Sequence, residues 1–160
     1  ADKSNIMFSY ITPDSNVNFT FNRYMLMVEH VLQKLGLDAK TTGRNDILIE
    51  GKKVSGNAFY HLPERSIVHG TMLYDTDIEN MVRSTTPSDE KLKSKGVESV
   101  RQRVINIRDI EDTCIESTTA LAEAVQQYWS EEICSLSEDD MHQIDAIEQE
   151  YFDPAFIQSR

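Results

Sequence analysis

Thr42-Gly43-Arg44-Asn45-Asp46-Ile47-Leu48-Ile49-Glu50-Gly51-Lys52-Lys53-Val54-Ser55-Gly56-Asn57-Ala58-Phe59, followed further on by His69-Gly70-Thr71-Met72-Leu73, is the stretch around which the rest of the chain is organised. It reads as three short strands. Ile47 to Glu50 is β-branched and apolar, Gly51-Lys52 supplies a tight turn, and Lys53 to Tyr60 carries the chain back. Ser66 to Tyr74 reads as the third strand. Gly56, inside a strand, marks a close backbone approach. The polar groups that stand out are the Asn45-Asp46 pair, Lys53 and His69.

A carboxylate at the head of a strand can hold a divalent cation beside a phosphate. A lysine on the partner strand offers a point positive charge for a phosphate or a polarised carbonyl. A glycine shortly after it lets backbone N–H groups face the same ligand. The pattern taken alone equally fits a surface hairpin whose charges are simply solvated.

Working outward, the chain of 160 residues is long enough for one domain with a core, and the expectation is a single domain over 1–160. Hydrophobic residues at 39% and charged residues at 27% point to a globular class. No apolar run approaches the roughly 18 residues a membrane helix needs, so no membrane partner is expected. Cys114 and Cys134 have no metal-like spacing and fit two ordinary thiols in a reducing cytoplasm. Residues 40–108 carry 12 basic and 9 acidic groups, whereas residues 109–160 carry 1 basic and 14 acidic. The net charge of −11 therefore belongs to the tail, and the middle is where an anion is welcome. Nucleic acid is not an expected partner for so acidic a chain.

Asn5 to Ile11 reads as a strand buried on both faces except at Ser9. Asn18 to Leu35 places Phe21, Tyr24, Met25, Val28, Val31, Leu32 and Leu35 on one helical face, with Gly36 as the stop. This stripe reads as core. Asp77 to Val82 forms a short helix, Lys91, Lys93 and Lys95 a basic cluster, and Val104 to Ile107 a strand. Ile110 to Trp129 reads as one long amphipathic helix. A last helix starts at the Ser137 cap and buries Met141, Ile144, Ile147 and Tyr151. No internal repeat or low-complexity segment is seen.

The blocks Gly43-Arg44-Asn45-Asp46, Gly51-Lys52-Lys53-Val54-Ser55-Gly56-Asn57-Ala58, His69-Gly70-Thr71-Met72-Leu73 and Lys91-Leu92-Lys93-Ser94-Lys95-Gly96-Val97-Glu98-Ser99-Val100-Arg101-Gln102-Arg103-Val104 follow one another in an order and spacing similar to the lipoate–protein ligase A family. Four blocks in sequence make a far more specific signal than any one. In that family a double-arginine, glycine-rich loop ends in His-Asp-x-Gly-Asn. Ala1-Asp2-Lys3-Ser4-Asn5 resembles its tail, with Ala1 where histidine and Ser4 where glycine is usual. The resemblance thus implies a catalytic domain incomplete at its N-terminus, and the expectation that residues 1–160 alone turn over poorly. Tyr60 stands where a basic residue is common, which removes one expected phosphate contact.

What the resemblance implies is an α/β (α+β) fold: a mixed, mostly antiparallel sheet with packed helices, as in biotin and lipoate ligases. It implies ATP-dependent activation of lipoate to lipoyl-AMP, with magnesium, and transfer to a lysine of a lipoyl carrier domain. Such carriers are those of 2-oxoacid dehydrogenase E2 subunits or the glycine cleavage H protein. Lys53 matches the catalytic lysine. Asn45 and Asp46 match the magnesium and adenylate position, Asp46 being the metal ligand. Ser55, Gly56 and Ala58 match adenylate contacts, and His69 a position near the lipoyl end. The lysines 91, 93 and 95 are candidates for contact with the adenylate or an acidic carrier. Two other readings stay open: an octanoyl or lipoyl transferase that makes no adenylate, and a non-catalytic fragment or binding module.

Overall fold

The computed structural model describes residues 4–13, 16–85 and 102–158. Lys91, Lys93, Lys95 and Arg101, and the Ala1–Lys3 end of the N-terminal motif, lie outside the described residues. Contacts divide the chain into a larger unit, Ala1–Trp129, and a smaller one, Ser130–Arg160, where the sequence reading takes 1–160 as one domain.

The larger unit is built on strands β1 (Asn5–Thr12), β2 (Ala39–Thr41), β3 (Asp46–Ile49), β4 (Lys52–Leu62) and β5 (Arg65–Leu73). They form one sheet in the order β1-β5-β4-β3-β2, and every neighbouring pair is antiparallel. Helix α1 (Val17–Lys34) connects the two edge strands, and its apolar stripe covers one face of the sheet. Asn16 caps it by accepting from the Phe19 amide at 3.0 Å, and Gly36 at φ +84° ends it. Tyr24, Val28 and Leu32 are fully buried, as the stripe requires. Each such side chain contributes roughly 1.5–3 kcal/mol of burial. The core is completed by Ile47, Ile49, Val54, Val68 and Met72 from the strands and by Leu121 and Val125 of helix α3 (Thr118–Trp129).

The β3–β4 hairpin turns at Glu50 and Gly51, with φ +53° and +73°, one residue earlier than the sequence suggests. Both central residues take the left-handed conformation of a two-residue hairpin whose twist matches the strands. β1 is not buried on both faces: Ile6, Phe8 and Tyr10 pack on the core, but Met7 and Ile11 are exposed. A sheet with its helix on one side leaves alternate residues of an edge strand uncovered.

After helix α2 (Ile78–Thr85), whose first turn is capped by Asp77, the described chain resumes at Gln102. The expected strand at 104–107 reduces to a single parallel bridge between Val104 and Lys53, then a 3-10 turn at Ile107–Asp109. The long helix expected from Ile110 forms only from Thr118. Asp112 adopts φ +61°, which a helix forbids. Ile110 and Ile115 are buried singly in the core, Tyr74 donates to the Ile115 carbonyl at 2.9 Å, and Ser117 Oγ caps the Ala120 amide. Isoleucines that imitate a helical period are here anchors of an irregular segment.

The smaller unit holds helices α4 (Glu138–Phe152) and α5 (Pro154–Gln158). Ser137 and Asp140 form a reciprocal capping box. The expected buried stripe is a correction: Met141, Ile144, Ile147 and Tyr151 are all exposed, and α4 buries no residue. Thirty-odd residues cannot supply enough surrounding chain to cover such a stripe. Within the unit, Tyr151 stacks at a tilt on Phe156, with centroids 4.7 Å apart.

Candidate active site

The candidate residues converge on the sheet face opposite α1, and a bulge decides which of them do. In a regular strand Lys53 and Gly56 point to opposite faces, because side chains alternate. Here the β3–β4 register shifts by one between Ile47 and Leu48: Ile47 pairs with Ser55, but Leu48 pairs with Lys53. Val54 is the extra residue, fully buried in the core. Lys53 and Gly56 therefore share the outer face. Lys53 Nζ lies 2.8 Å from where a Gly56 Cβ would stand, so the glycine is the floor on which the ammonium rests.

Asp46 sits directly across from Gly56, and its Oδ1 is 2.6 Å from Lys53 Nζ. Both side chains are about one-third exposed. The contact is a charge pair off the hydrogen-bond line, since Asp46 Oδ1 is buried and accepts no aligned hydrogen bond. Lys53 is held from behind by its backbone: its amide donates to the Arg103 carbonyl at 2.8 Å, and its carbonyl accepts from the Ile105 amide at 3.1 Å. The end of the last motif block thus lies against the candidate lysine. A cleft of about 500 Å³ opens there, walled by Asp46, Leu48 and Lys53 on one side and Gln102, Arg103 and Val104 on the other. A second groove, about 530 Å³ and apolar, runs along the outside of α1 past Phe19, Leu26 and His30, on the other side of the sheet from Lys53.

Ala58 and His69 are paired across β4 and β5, two residues along from Gly56 and its partner Thr71, and both are exposed on the outer face. That places them roughly 7 Å along the strands from Gly56. Asn45 is exposed at the head of β3, beside Asp46. The structure so brings Asn45, Asp46, Lys53 and Gly56 together, with Ala58 and His69 adjoining. Ser55 is the exception. The bulge turns its side chain inward, where it is fully buried and its hydroxyl faces Asn57. Any ligand contact by Ser55 is left to its backbone.

Sequence reasoning passed over Asn57, which is 4% exposed. Its backbone amide and Nδ2 both donate to the Asn45 carbonyl, at 2.9 and 3.0 Å. Its Oδ1 accepts from Tyr24 Oη of helix α1 at 3.0 Å. Burial raises the Tyr24 phenol above its ordinary range, so it stays a donor. Gly70 makes room for the pair: a Cβ there would stand 2.0 Å from Asn57 Oδ1. The signal that could have found Asn57 is a polar residue at an inward-facing position beside a glycine on the next strand.

Among the described residues no group of three or more His, Cys, Asp or Glu side chains could hold a metal. Asp46 and Asn45 fit magnesium, which keeps waters and substrate oxygens and takes one or two protein ligands. Asp46 Oδ1 is taken up by the Lys53 ammonium at 2.6 Å, so a metal here would be held through the other carboxylate oxygen, Oδ2, and the Asn45 side chain.

Comparison with known proteins bears on the family and the fold. A model of the lipoyl protein ligase A/B catalytic domain matches residues 1–144. Lipoate-protein ligase LplJ of Bacillus subtilis is 38% identical over 112 residues, covering 69% of this chain and 34% of that protein. A probable lipoate-protein ligase A of Mycoplasma pneumoniae is 35% identical over 158 residues, 94% of this chain and 46% of its own. The chain therefore spans between a third and a half of the length of these curated relatives. Among solved structures, a bi-partite lipoate protein ligase from Thermoplasma acidophilum, described with its E2 lipoyl domain, superposes with a TM-score of 0.77 at 26% identity, over 96% of this chain and 61% of that one. Biotin protein ligase from Aquifex aeolicus shares the fold at a TM-score of 0.53 and 15% identity, over 78% of this chain and 48% of its own. The antiparallel sheet with its packed helices is thus the α+β fold of the biotin and lipoate ligases. With the family match extending over 1–144, the chain belongs to the lipoyl protein ligase A/B catalytic domain family.

Proposed function

We propose that this chain is part of the catalytic domain of a lipoate–protein ligase, which uses ATP to make lipoyl-AMP and passes the lipoyl group to a lysine of a carrier domain. The observation that carries the reading is the Lys53–Asp46 pair resting on Gly56 at the edge of a cleft, in a chain of this family. In the first step a lipoate carboxylate oxygen bonds to the α-phosphorus of ATP and pyrophosphate leaves. Two anions must meet, so a fixed cation lowers the barrier most where charge gathers on their oxygens. Lys53 supplies it: its backbone is tied on both sides to Arg103 and Ile105, so the ammonium needs little reorganisation. In the second step the amine of a carrier lysine attacks the acyl carbonyl, the new C–N bond forms, and AMP departs. The same ammonium polarises that carbonyl.

Asp46, with the Asn45 amide, would hold magnesium, which supplies further charge neutralisation of the phosphates. Gly56 and Ala58 leave the strand surface low enough for a ligand to lie on it, and His69 bounds its far end. The E2 lipoyl domain named with the Thermoplasma ligase supports E2 lipoyl domains as partners here, and the family resemblance extends the proposal to the glycine cleavage H protein. Two free, exposed cysteines support work in a reducing cytoplasm. A cysteine-using transferase without adenylation needs its thiol at the acyl site. Cys114 instead lies beside the Leu35 carbonyl at the end of α1, away from the Lys53 face. The test uses the full-length protein with a lipoyl domain: lipoate-dependent pyrophosphate release from ATP, and a lipoyl mass increase on the carrier. Acyl transfer that proceeds without ATP would replace the ligase by a transferase.

A further inference from the structure

We propose that Asn57 is a positioning residue that sets the metal-binding end of the site from inside the core. This rests on the ligase reading for its consequence in rate, but not for its structural part. The loop Thr42–Asn45 enters β3 just before Asp46, and its last carbonyl, that of Asn45, is gripped twice by Asn57. A carbonyl only accepts, so the Asn57 amide must turn Nδ2 toward it and Oδ1 away. Oδ1 then needs a donor, and Tyr24 Oη provides it at 3.0 Å. The Ser55 hydroxyl lies between, 3.2 Å from Nδ2 and 3.4 Å from Oδ1. Gly70 lets the tyrosine and the amide meet across β5. A buried, fully paired amide of this kind has one orientation, and it fixes the backbone one residue before the carboxylate that meets Lys53.

The functional consequence is specific. Removing the Asn57 side chain leaves the Asn45 carbonyl only its backbone bond and loosens Asn45 and the Asp46 carboxylate beside it, while the Lys53 backbone, held by Arg103 and Ile105, stays in place. The site should lose its grip on the metal before it loses its cation.

The experiment compares Asn57→Ala, the isosteric Asn57→Asp and Tyr24→Phe in the full-length protein. The first readout is trypsin cleavage after Arg44, which is exposed in the loop. Loss of a buried hydrogen bond predicts cleavage about three- to tenfold faster in Asn57→Ala and Asn57→Asp, with a smaller rise in Tyr24→Phe. The second is the magnesium concentration giving half-maximal pyrophosphate release, expected to rise severalfold with the lipoate KM unchanged. Unchanged cleavage at Arg44 in a folded variant overturns the proposal. So does a rate loss equal at every magnesium concentration, the mark of a purely structural residue. If Asn57→Ala fails to fold, Asn57→Asp and Tyr24→Phe decide. Absence of pyrophosphate release even from the unaltered protein would strike down the ligase reading, and the Arg44 cleavage would still decide the role of Asn57.

Discussion

Replacing Lys53 by alanine separates what this side chain does for the fold from what it does for the reaction. Its contribution to stability is bounded by the structure. The ion pair with Asp46 at 2.6 Å is about one-third exposed on both sides and off the hydrogen-bond line. Solvent screening limits such a pair to roughly 0.2–1 kcal/mol. The backbone bonds to Arg103 and Ile105 survive the substitution. In a protein of this size the melting temperature should drop by no more than about 4 °C. The transition-state effect is larger. A preorganised donor at developing charge contributes about 2.7–4 kcal/mol, or roughly 10²–10³ in rate. Lipoate-dependent pyrophosphate release should fall by that factor in the full-length protein. Lys53→Arg should not rescue it, because a planar guanidinium fork cannot replace a compact ammonium placed between a phosphate and a carboxylate oxygen. Lys52→Ala is the control: Lys52 is paired with Ile49 and borders a different cleft, beside Asn106 and Asp109. Equal losses for Lys52→Ala and Lys53→Ala, or normal release by a folded Lys53→Ala, would refute the assignment.

Gly56→Ala should act on the same ammonium without removing it. Its methyl would stand 2.8 Å from Lys53 Nζ and 2.9 Å from Cε, the movable end of a side chain. Stability should change by less than about 0.5 kcal/mol in a urea titration. Pyrophosphate release should fall by about 10² as the cation is displaced. Glu50→Asn should raise the urea midpoint by about 0.5–1 kcal/mol equivalent, since Glu50 holds φ +53° in a turn that asparagine adopts more readily. Asp140 accepts from the Ser137 hydroxyl and amide, which lowers its carboxyl below the ordinary range. A lowered folded-state value stabilises above the ordinary aspartate range and is lost as pH falls through it. Far-ultraviolet circular dichroism should therefore show helix loss beginning below about pH 4, and Ser137→Ala should remove that step.

The sequence by itself determined most of the local elements and the residue types gathered at the candidate site. The α1 stripe through Tyr24, Val28 and Leu32 repeats at the helical period, and the strands alternate between short-range turn signals, so neighbours along the chain suffice to specify them. The spacing of Asp46, Lys53 and Gly56 was likewise visible, and the family resemblance supplied the chemistry proposed for them. Faces and long-range pairings were decided only in three dimensions. The single extra residue at Val54 put Lys53 on the same side as Gly56 and sent Ser55 inward, and a one-residue slip leaves no trace in composition. Ile110 and Ile115 imitated a helix because burial at two separate points resembles a period when only the order of residues is known. The stripe on α4 imitated a core face because periodicity reports amphipathicity, whereas burial depends on what else is there to pack against it. Asn57 was silent for the same reason. Its importance lies in Tyr24, 33 positions away, and in Asn45, 12 away, and no local pattern brings those three together.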